Sequence, residues 1–332
     1  MDLAPQKVQK KRLLSEIVAG KTLSPRHREI HWTGETKECS ALEVCNNKII
    51  VGWDNGQIKI YNSDDLRCRT VLNNYSSQSR ATCLQCTCTE LIAGYSNGNI
   101  SVWNIENGIR MNTILLTNEN GNPEGKVTAM RWRNPRLVAA THTGKVKIYQ
   151  YANNSFSLLG SWDAGKNGVI RVDCNESFVL LQPLRSTHLT TATRAIYVKY
   201  FDGTPFRSIT SPGDYPCMAL DGTYVVTGFG DRVLRIWDIC TGICLKELEG
   251  HEDGILAVDA HDGIIASTDS SSRVIVWSAH AALLEGRQAK LASFTYPKSE
   301  PDGFRLKIGS NFVVARPRNW ESRKLIVTDF LS

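Results

Sequence analysis

The sequence has no long hydrophobic run. None of its apolar stretches approaches about 18 consecutive residues, the length typical of a membrane-crossing helix. Residues 1–20, MDLAPQKVQKKRLLSEIVAG, contain only the short apolar pairs LL and IV, so they lack the hydrophobic region of a secretory signal. We therefore expect a protein of the cytoplasm and/or the nucleus that has no membrane association.

A strong excess of charge is also missing. The net charge is +6 over 332 residues, and residues 1–31 account for most of the excess. The rest of the chain is close to neutral, whereas nucleic-acid-binding proteins usually present a strongly basic face. This balance argues against nucleic acid as a partner and favours other proteins.

The motifs of common enzymes are absent as well. The sequence contains no G-x-S-x-G, no phosphate-binding glycine loop and no H-E-x-x-H. Its ten cysteines are scattered, and the densest group, CLQCTC at Cys83–Cys88, has no second Cys or His pair at the spacing of a zinc site. We expect no enzymatic activity, no metal site and no cofactor.

What the sequence does contain is a repeat of 14 residues. Each copy has a short apolar strand, a polar turn and a second strand that alternates towards a Trp or Tyr. The five copies that align without a gap are Ile49–Asn62, Leu91–Asn104, Leu137–Gln150, Val225–Asp238 and Ile265–Ser278. Period-2 alternation between turn residues predicts β-hairpins.

The spacing of the copies predicts seven units. Successive terminal aromatic residues lie 42, 46, 88 and 40 residues apart, so one unit is hidden in the double interval. We assign that unit to RAIYVKY, with Tyr200 at the aromatic position, and a seventh unit to the chain's last segment, with Thr328-Asp329 in place of Trp-Asp. A repeat of this length indicates a solenoid or a propeller.

Each copy is flanked by a preceding and a following strand, which makes four strands per unit, as in a propeller blade. The sequence therefore predicts an all-β, seven-bladed β-propeller over residues 28–332.

The last unit lacks a fourth strand, and REIHWTG at Arg28–Gly34 is a strand without a blade. We expect this strand to close the last blade, since an unpaired edge invites aggregation. Residues 1–27 are predicted to be a basic tail or a short helix.

With Trp237-Asp238, Gly250-His251 and regular spacing, the sequence resembles the WD-repeat β-propellers. In that family a His, a Ser or Thr, an Asp and the Trp of one blade form a buried hydrogen-bonded set. The resemblance implies that the set is incomplete here. The fifth blade has Thr227, Asp231 and Trp237 without a His, and the sixth has His251, Ser267 and Trp277, with Ser271 where the Asp is expected. We interpret these residues and Asp238 as structural.

The resemblance also implies that partners dock on the face that carries the turns between second and third strands. Aromatic residues and Arg together are typical of binding hot spots. The residues predicted to bind a partner on this basis are Trp53, Tyr95, His142, Phe229, Arg232, Arg316, Arg318 and Trp320.

Two functions follow from the resemblance. The first is a non-catalytic protein–protein interaction scaffold. The alternative is a substrate receptor of a ubiquitin ligase that captures an acidic or phosphorylated peptide. Only about 27 residues precede the first strand, too few for an F-box, and Trp237-Asp238 is not followed by the Arg of a cullin-adaptor signature. Both departures favour the scaffold.

Overall fold

The computed structural model describes residues 25–32, 38–74, 79–153, 155–165, 168–183, 195–210, 217–284, 289–296, 305–309, 311–316 and 324–330. These residues form seven four-stranded antiparallel sheets, the blades of a β-propeller, which confirms the predicted fold class. No helix in the described ranges is long and apolar enough to cross a membrane.

The chain divides into two compact units, of which residues 35–211 form one. This unit contains blades 1 to 4, with the strands numbered in chain order. Blade 1 has β2 (Cys39–Cys45), β3 (Lys48–Trp53), β4 (Ile58–Asn62) and β5 (Cys68–Leu72). Blade 2 has β6 (Ala81–Cys86), β7 (Glu90–Tyr95), β8 (Asn99–Asn104) and β9 (Arg110–Leu115). Blade 3 has β10 (Val127–Arg133), β11 (Arg136–Thr141), β12 (Lys145–Ala152) and β13 (Ser155–Asp163). Blade 4 has β14 (Val169–Cys174), β15 (Phe178–Pro183), β16 (Ala195–Tyr200) and β17 (Pro205–Thr210).

The second unit comprises residues 1–34 and 212–332 and contains blades 5 to 7. Blade 5 has β18 (Cys217–Asp221), β19 (Tyr224–Gly228), β20 (Leu234–Asp238) and β21 (Cys244–Leu248). Blade 6 has β22 (Ile255–His261), β23 (Ile264–Asp269), β24 (Arg273–Ser278) and β25 (Lys290–Thr295), with a short helix, Ala279–Leu283, after β24. Blade 7 has β26 (Arg305–Ile308), β27 (Phe312–Arg316), β28 (Lys324–Asp329) and β1 (Arg26–His31).

The amino-terminal strand closes the last blade, as the sequence predicted. β1 pairs antiparallel with β28, from Arg26 opposite Asp329 to His31 opposite Lys324. It begins two residues before the predicted start. The guanidinium of Arg28 holds Asp329 through two hydrogen bonds, Nε to Oδ2 at 2.9 Å and Nη2 to Oδ1 at 2.8 Å. Pairing and charge therefore tie the two ends of the propeller domain together within one sheet.

The middle strands are buried on both faces. β3 reads KIIVGW and β7 reads ELIAGY, and all but the first residue of each is buried. A strand covered on both sides needs apolar residues at successive positions, which is why these segments lack strict alternation. In the cluster shared by blades 1 and 2, Ile50 and Leu91 are fully buried, and each such side chain contributes about 1.5–3 kcal/mol to folding.

Polar side chains on the first strands link neighbouring blades of the four-blade unit. Gln85 donates to Glu43 over 2.8 Å and accepts from the backbone N–H of Trp132 over 3.2 Å. Arg131 lies 2.8 Å from Asp173 in the next blade. Because these groups are mostly buried, each of the bonds also avoids the cost of an unpaired polar atom.

A one-residue register slip marks the aromatic position in blades 1 to 6. The pairing of the third and fourth strands shifts there, at Tyr61, Trp103, Tyr149, Lys199, Trp237 and Trp277. Such β-bulges re-aim the side chain beside them. In blade 4 the slip falls at Lys199. Lys199 pairs with Val179 on the second strand, and in blade 1 the terminal aromatic Tyr61 pairs with Ile49 in the same way, so Lys199 occupies the aromatic position. The assignment of Tyr200 to this position is therefore wrong by one residue, and Tyr200 is 41% exposed.

Candidate partner-binding face

Three of the aromatic residues predicted to bind a partner are buried. Trp53 is 2% exposed, and Tyr95 and Phe229 are 0% exposed. The expectation that these rings are presented on the surface is wrong. Burial also raises the pKa of the Tyr95 phenol to about 12, so this group stays neutral at physiological pH.

Blade 6 explains why an aromatic residue is buried at this position. There the fifth residue of the 14-residue copy is Asp269, whose side chain is 0% exposed. His251 Nδ1 lies 2.8 Å from Asp269 Oδ2, and His251 Nε2 lies 2.7 Å from Ser267 Oγ. Trp277 Nε1 donates to the same Ser267 Oγ over 2.9 Å. We call these four residues the blade 6 tetrad.

The proton positions in the blade 6 tetrad follow from its acceptors. An ionised carboxylate can only accept, so His251 donates from Nδ1 to Asp269. Burial raises the pKa of Asp269, but hydrogen bonds from His251, Ser271 and the backbone of Arg273 outweigh burial and lower it below its usual value. The tetrad is therefore a continuous chain of bonds from an indole to a carboxylate.

The repeat pattern of the sequence did not reveal Asp269, because we expected the acid of blade 6 two residues later, at Ser271. Ser271 instead donates to Asp269 Oδ1 from its hydroxyl, over 2.6 Å, and from its backbone, over 3.1 Å. The fifth position of the 14-residue copy could have revealed Asp269, because other copies have a large aromatic residue there: Trp53, Tyr95 or Phe229. All are buried at the end of a second strand, so the large rings occupy the place of the carboxylate.

In blade 5 the motif residues support two turns. Trp237 Nε1 donates to Thr227 Oγ1 over 2.7 Å. Asp238 accepts from the backbone N–H of Thr241, over 2.7 Å, and from its hydroxyl, over 2.9 Å, and so holds the Thr-Gly turn. Asp231 pairs with Arg235 at 2.7 Å. Each of these side chains is engaged within its own blade.

The remaining predicted residues differ in exposure. His142 and Arg232 are exposed in the turns that follow β11 and β19, and Arg316 is half-buried at the end of β27. Arg232 has a φ of 71°, a left-handed turn conformation that few residues other than glycine adopt. Arg318 and Trp320 lie outside the described residues. The partner-binding role of the exposed residues stays a prediction.

The exposed turns carry charges of both signs. In the four-blade unit Lys145 lies 2.9 Å from Asp163. In the three-blade unit Glu252 pairs with Arg273, and the pKa of Asp253 is lowered chiefly by its hydrogen bond with Ser270. Mixed charge of this kind suits a polar protein surface.

The described side chains offer no obvious metal chemistry. Among them, no group of three or more His, Cys, Asp or Glu is placed to hold a metal ion. Cys83 pairs with Gly94 and Cys86 with Leu91, so the two thiols are three residues apart on one strand and face opposite sides.

Two sequence families match the chain. The family described as "WD40 repeated domain" matches residues 5–117. The family described as "WD domain, G-beta repeat" matches residues 203–238 and 242–278. Together these ranges cover more than half of the chain.

Similar proteins include longer chains. Cilia- and flagella-associated protein 52 of Bos taurus is 23% identical over 241 residues, which are 69% of this chain and 36% of that protein. Cell division control protein 4 of Saccharomyces cerevisiae is 36% identical over 62 residues, 18% of this chain and 8% of that protein. The chain thus spans about a third or less of the length of these relatives. A solved structure described as U3-55K has a TM-score of 0.69 and 15% identity and covers 91% of this chain and 98% of that one, a likeness of fold alone.

Proposed function

The chain belongs to the WD-repeat β-propeller family, and on this premise we propose that it is a non-catalytic scaffold for protein–protein interaction in the cytoplasm and/or the nucleus. The observation that carries the proposal is the way the motif residues are used. The blade 6 tetrad and the Thr227–Trp237 pair bond within their blades, so they rigidify the blades and leave partner contact to the exposed turns. Rigid strands that present variable turns are a common arrangement for binding surfaces.

Arg232 is the residue best suited to test the face. It is exposed in the turn between the second and third strands of blade 5. A matched control is Arg67, which is exposed in the turn between the third and fourth strands of blade 1. In its own sheet this turn lies at the opposite end of the strands from the turn between the second and third strands. Both are exposed arginines in short turns, so charge reversal at either site changes the net charge equally.

We expect Arg232→Glu to reduce partner recovery in quantitative affinity purification by about fivefold, the effect of losing roughly 1 kcal/mol of binding. Arg67→Glu should recover the wild-type set of partners in wild-type amounts. If both variants retain every partner equally, the turn face is not the docking surface.

The same purification separates the scaffold from the ligase receptor. Cullin-ligase subunits in the recovered complex, lost with Arg232→Glu, would favour the receptor and a partner bearing acidic or phosphorylated peptide. A stable complex without such subunits favours the scaffold.

A further inference from the structure

Blade 4 has lost every member of the tetrad that blade 6 retains. Strand register defines the equivalent positions, since Val169 pairs with Pro183 as Ile255 pairs with Asp269, and Lys199 lies at the aromatic position. At the register positions of Ser267, Asp269 and Trp277, blade 4 carries Leu181, Pro183 and Lys199, and Gly165 stands as far before Val169 in the sequence as His251 stands before Ile255. An imidazole, a hydroxyl, a carboxylate and an indole are thus replaced by groups that cannot form the bonded chain.

The replacement leaves space. A pocket of about 250 Å³ lies at these positions, with Leu181, Pro183 and Lys199 among its walls. Ligand pockets commonly measure roughly 300–1,000 Å³, so this volume suits one large side chain and is too small for a cofactor. An indole is the group that fills the equivalent place in blade 6.

The pocket combines apolar walls with cationic groups. Val169, Leu181 and Pro183 supply apolar surface, while Lys199 and Arg207 also line it, and none of the described lining residues is acidic. The Lys199 ammonium lies 4.8 Å from the centroid of the Trp162 ring and makes no ion pair with a described carboxylate.

The neighbouring acid does not neutralise Lys199. Asp163 is held by Lys145 Nζ at 2.9 Å and accepts from the backbone N–H of Gly165 at 2.9 Å. Those contacts lower the pKa of Asp163, Lys145 first, with Lys199 contributing least. The charge of Lys199 therefore remains available to an incoming anion.

We propose that this pocket binds an acidic peptide segment of a partner protein, with an aromatic side chain in the vacated tetrad space and an adjacent carboxylate on Lys199. The inference rests on the proposed function, because it assumes that the propeller recognises proteins. Charge argues against the segment that joins β15 to β16 as the occupant: residues 184–194, LRSTHLTTATR, contain two arginines and no acid.

Short peptides test the chemistry without a known partner. The probes are acetyl-Glu-Trp-Glu-amide, its Gln-Trp-Gln analogue and its Glu-Ala-Glu analogue, each titrated into the full chain by isothermal calorimetry or ligand-detected NMR. We expect the Glu-Trp-Glu peptide to bind about tenfold or more tightly than the Gln analogue, because a hydrogen bond to a charged group is lost. The Ala analogue should lose most of the binding, because the apolar volume stays unfilled.

Variants locate the binding. Lys199→Met keeps the apolar stem and should abolish the preference for Glu over Gln, whereas the control Lys246→Met, at an exposed lysine of β21 in blade 5, should keep it. Lys199→Trp restores the family's aromatic residue, should fill the pocket and should prevent binding of all three peptides. Circular dichroism and thermal unfolding confirm that each variant is folded.

Equal binding of the Glu and Gln peptides to the wild type, no binding of the Glu peptide, or unchanged preference in Lys199→Met would each overturn the proposal. None of these results would touch the scaffold proposal, which the Arg232 variant tests separately.

Discussion

Removing the Asp269 carboxylate should destabilise the protein more than any exposed substitution nearby. In the native chain its oxygens accept from His251, from both donors of Ser271 and from the backbone of Arg273. Asp269→Ala leaves these donors without a partner in a site whose His and Asp side chains are 0% exposed. A buried donor left without its acceptor typically costs about 1–3 kcal/mol, and four donors lose theirs here, so we expect a total loss of about 3 kcal/mol or more.

The assay is denaturant unfolding followed by tryptophan fluorescence, with Asp253→Asn as the control. Asp253 is exposed in the loop that carries His251, so its substitution should change the free energy of unfolding by no more than about 0.5 kcal/mol. A double variant, Asp269→Ala with His251→Ala, should cost clearly less than the sum of the two single losses, because both remove the same bonded chain.

The stabilisation by Asp269 should depend on pH and should be lost in acid. Because the pKa of Asp269 is lowered in the folded state, its stabilisation is fully present above the unfolded value of about 3.9. It is lost as the pH falls through the folded value. The difference between wild type and Asp269→Ala should therefore shrink below about pH 4. A loss under 1 kcal/mol at neutral pH, or strictly additive single variants, would refute the account of the tetrad.

Two further substitutions test the propeller itself. Arg28→Ala removes the bidentate contact with Asp329 that helps to close blade 7, and it should lower the free energy of unfolding by about 1–3 kcal/mol, with a smaller difference at high salt; an unchanged denaturation midpoint at low salt would contradict this. Gly94→Ala places a Cβ 2.8 Å from the Cys83 sulfur and should destabilise by about 1–3 kcal/mol. Gly160→Ala, which meets nothing within 4 Å, should lie close to the wild type in the same thermal scans, and equal losses in the two glycine variants would show that close packing is not the cause.

The sequence by itself determined the strands, their number per unit and the closure of the last blade. Alternation with period 2 and turn residues at fixed offsets are local properties that can be read from the sequence. The first predicted strand belonged to no unit, and the seventh unit lacked one strand, so the two could be matched by counting. The pairing of β1 with β28 follows from that count alone. Trp237-Asp238 is likewise a local signal, since the carboxylate holds the turn directly after it.

Only the tertiary structure decided which side chains face the interior and which are left for partners. A shift of one residue moves a side chain to the other face of a strand. In blade 4 Lys199 stands where the other copies have Trp or Tyr, so no aromatic residue marks the register in the sequence, and only the pairing with Val179 identifies the position. Trp53 and Phe229 are buried at the fifth position of their copies, where blade 6 has the Asp269 carboxylate. The pocket of blade 4 is the converse case: Leu181 and Pro183 on β15 and Lys199 on β16 are separated along the chain by residues 184–194, and the sheet brings them together as walls of one cavity.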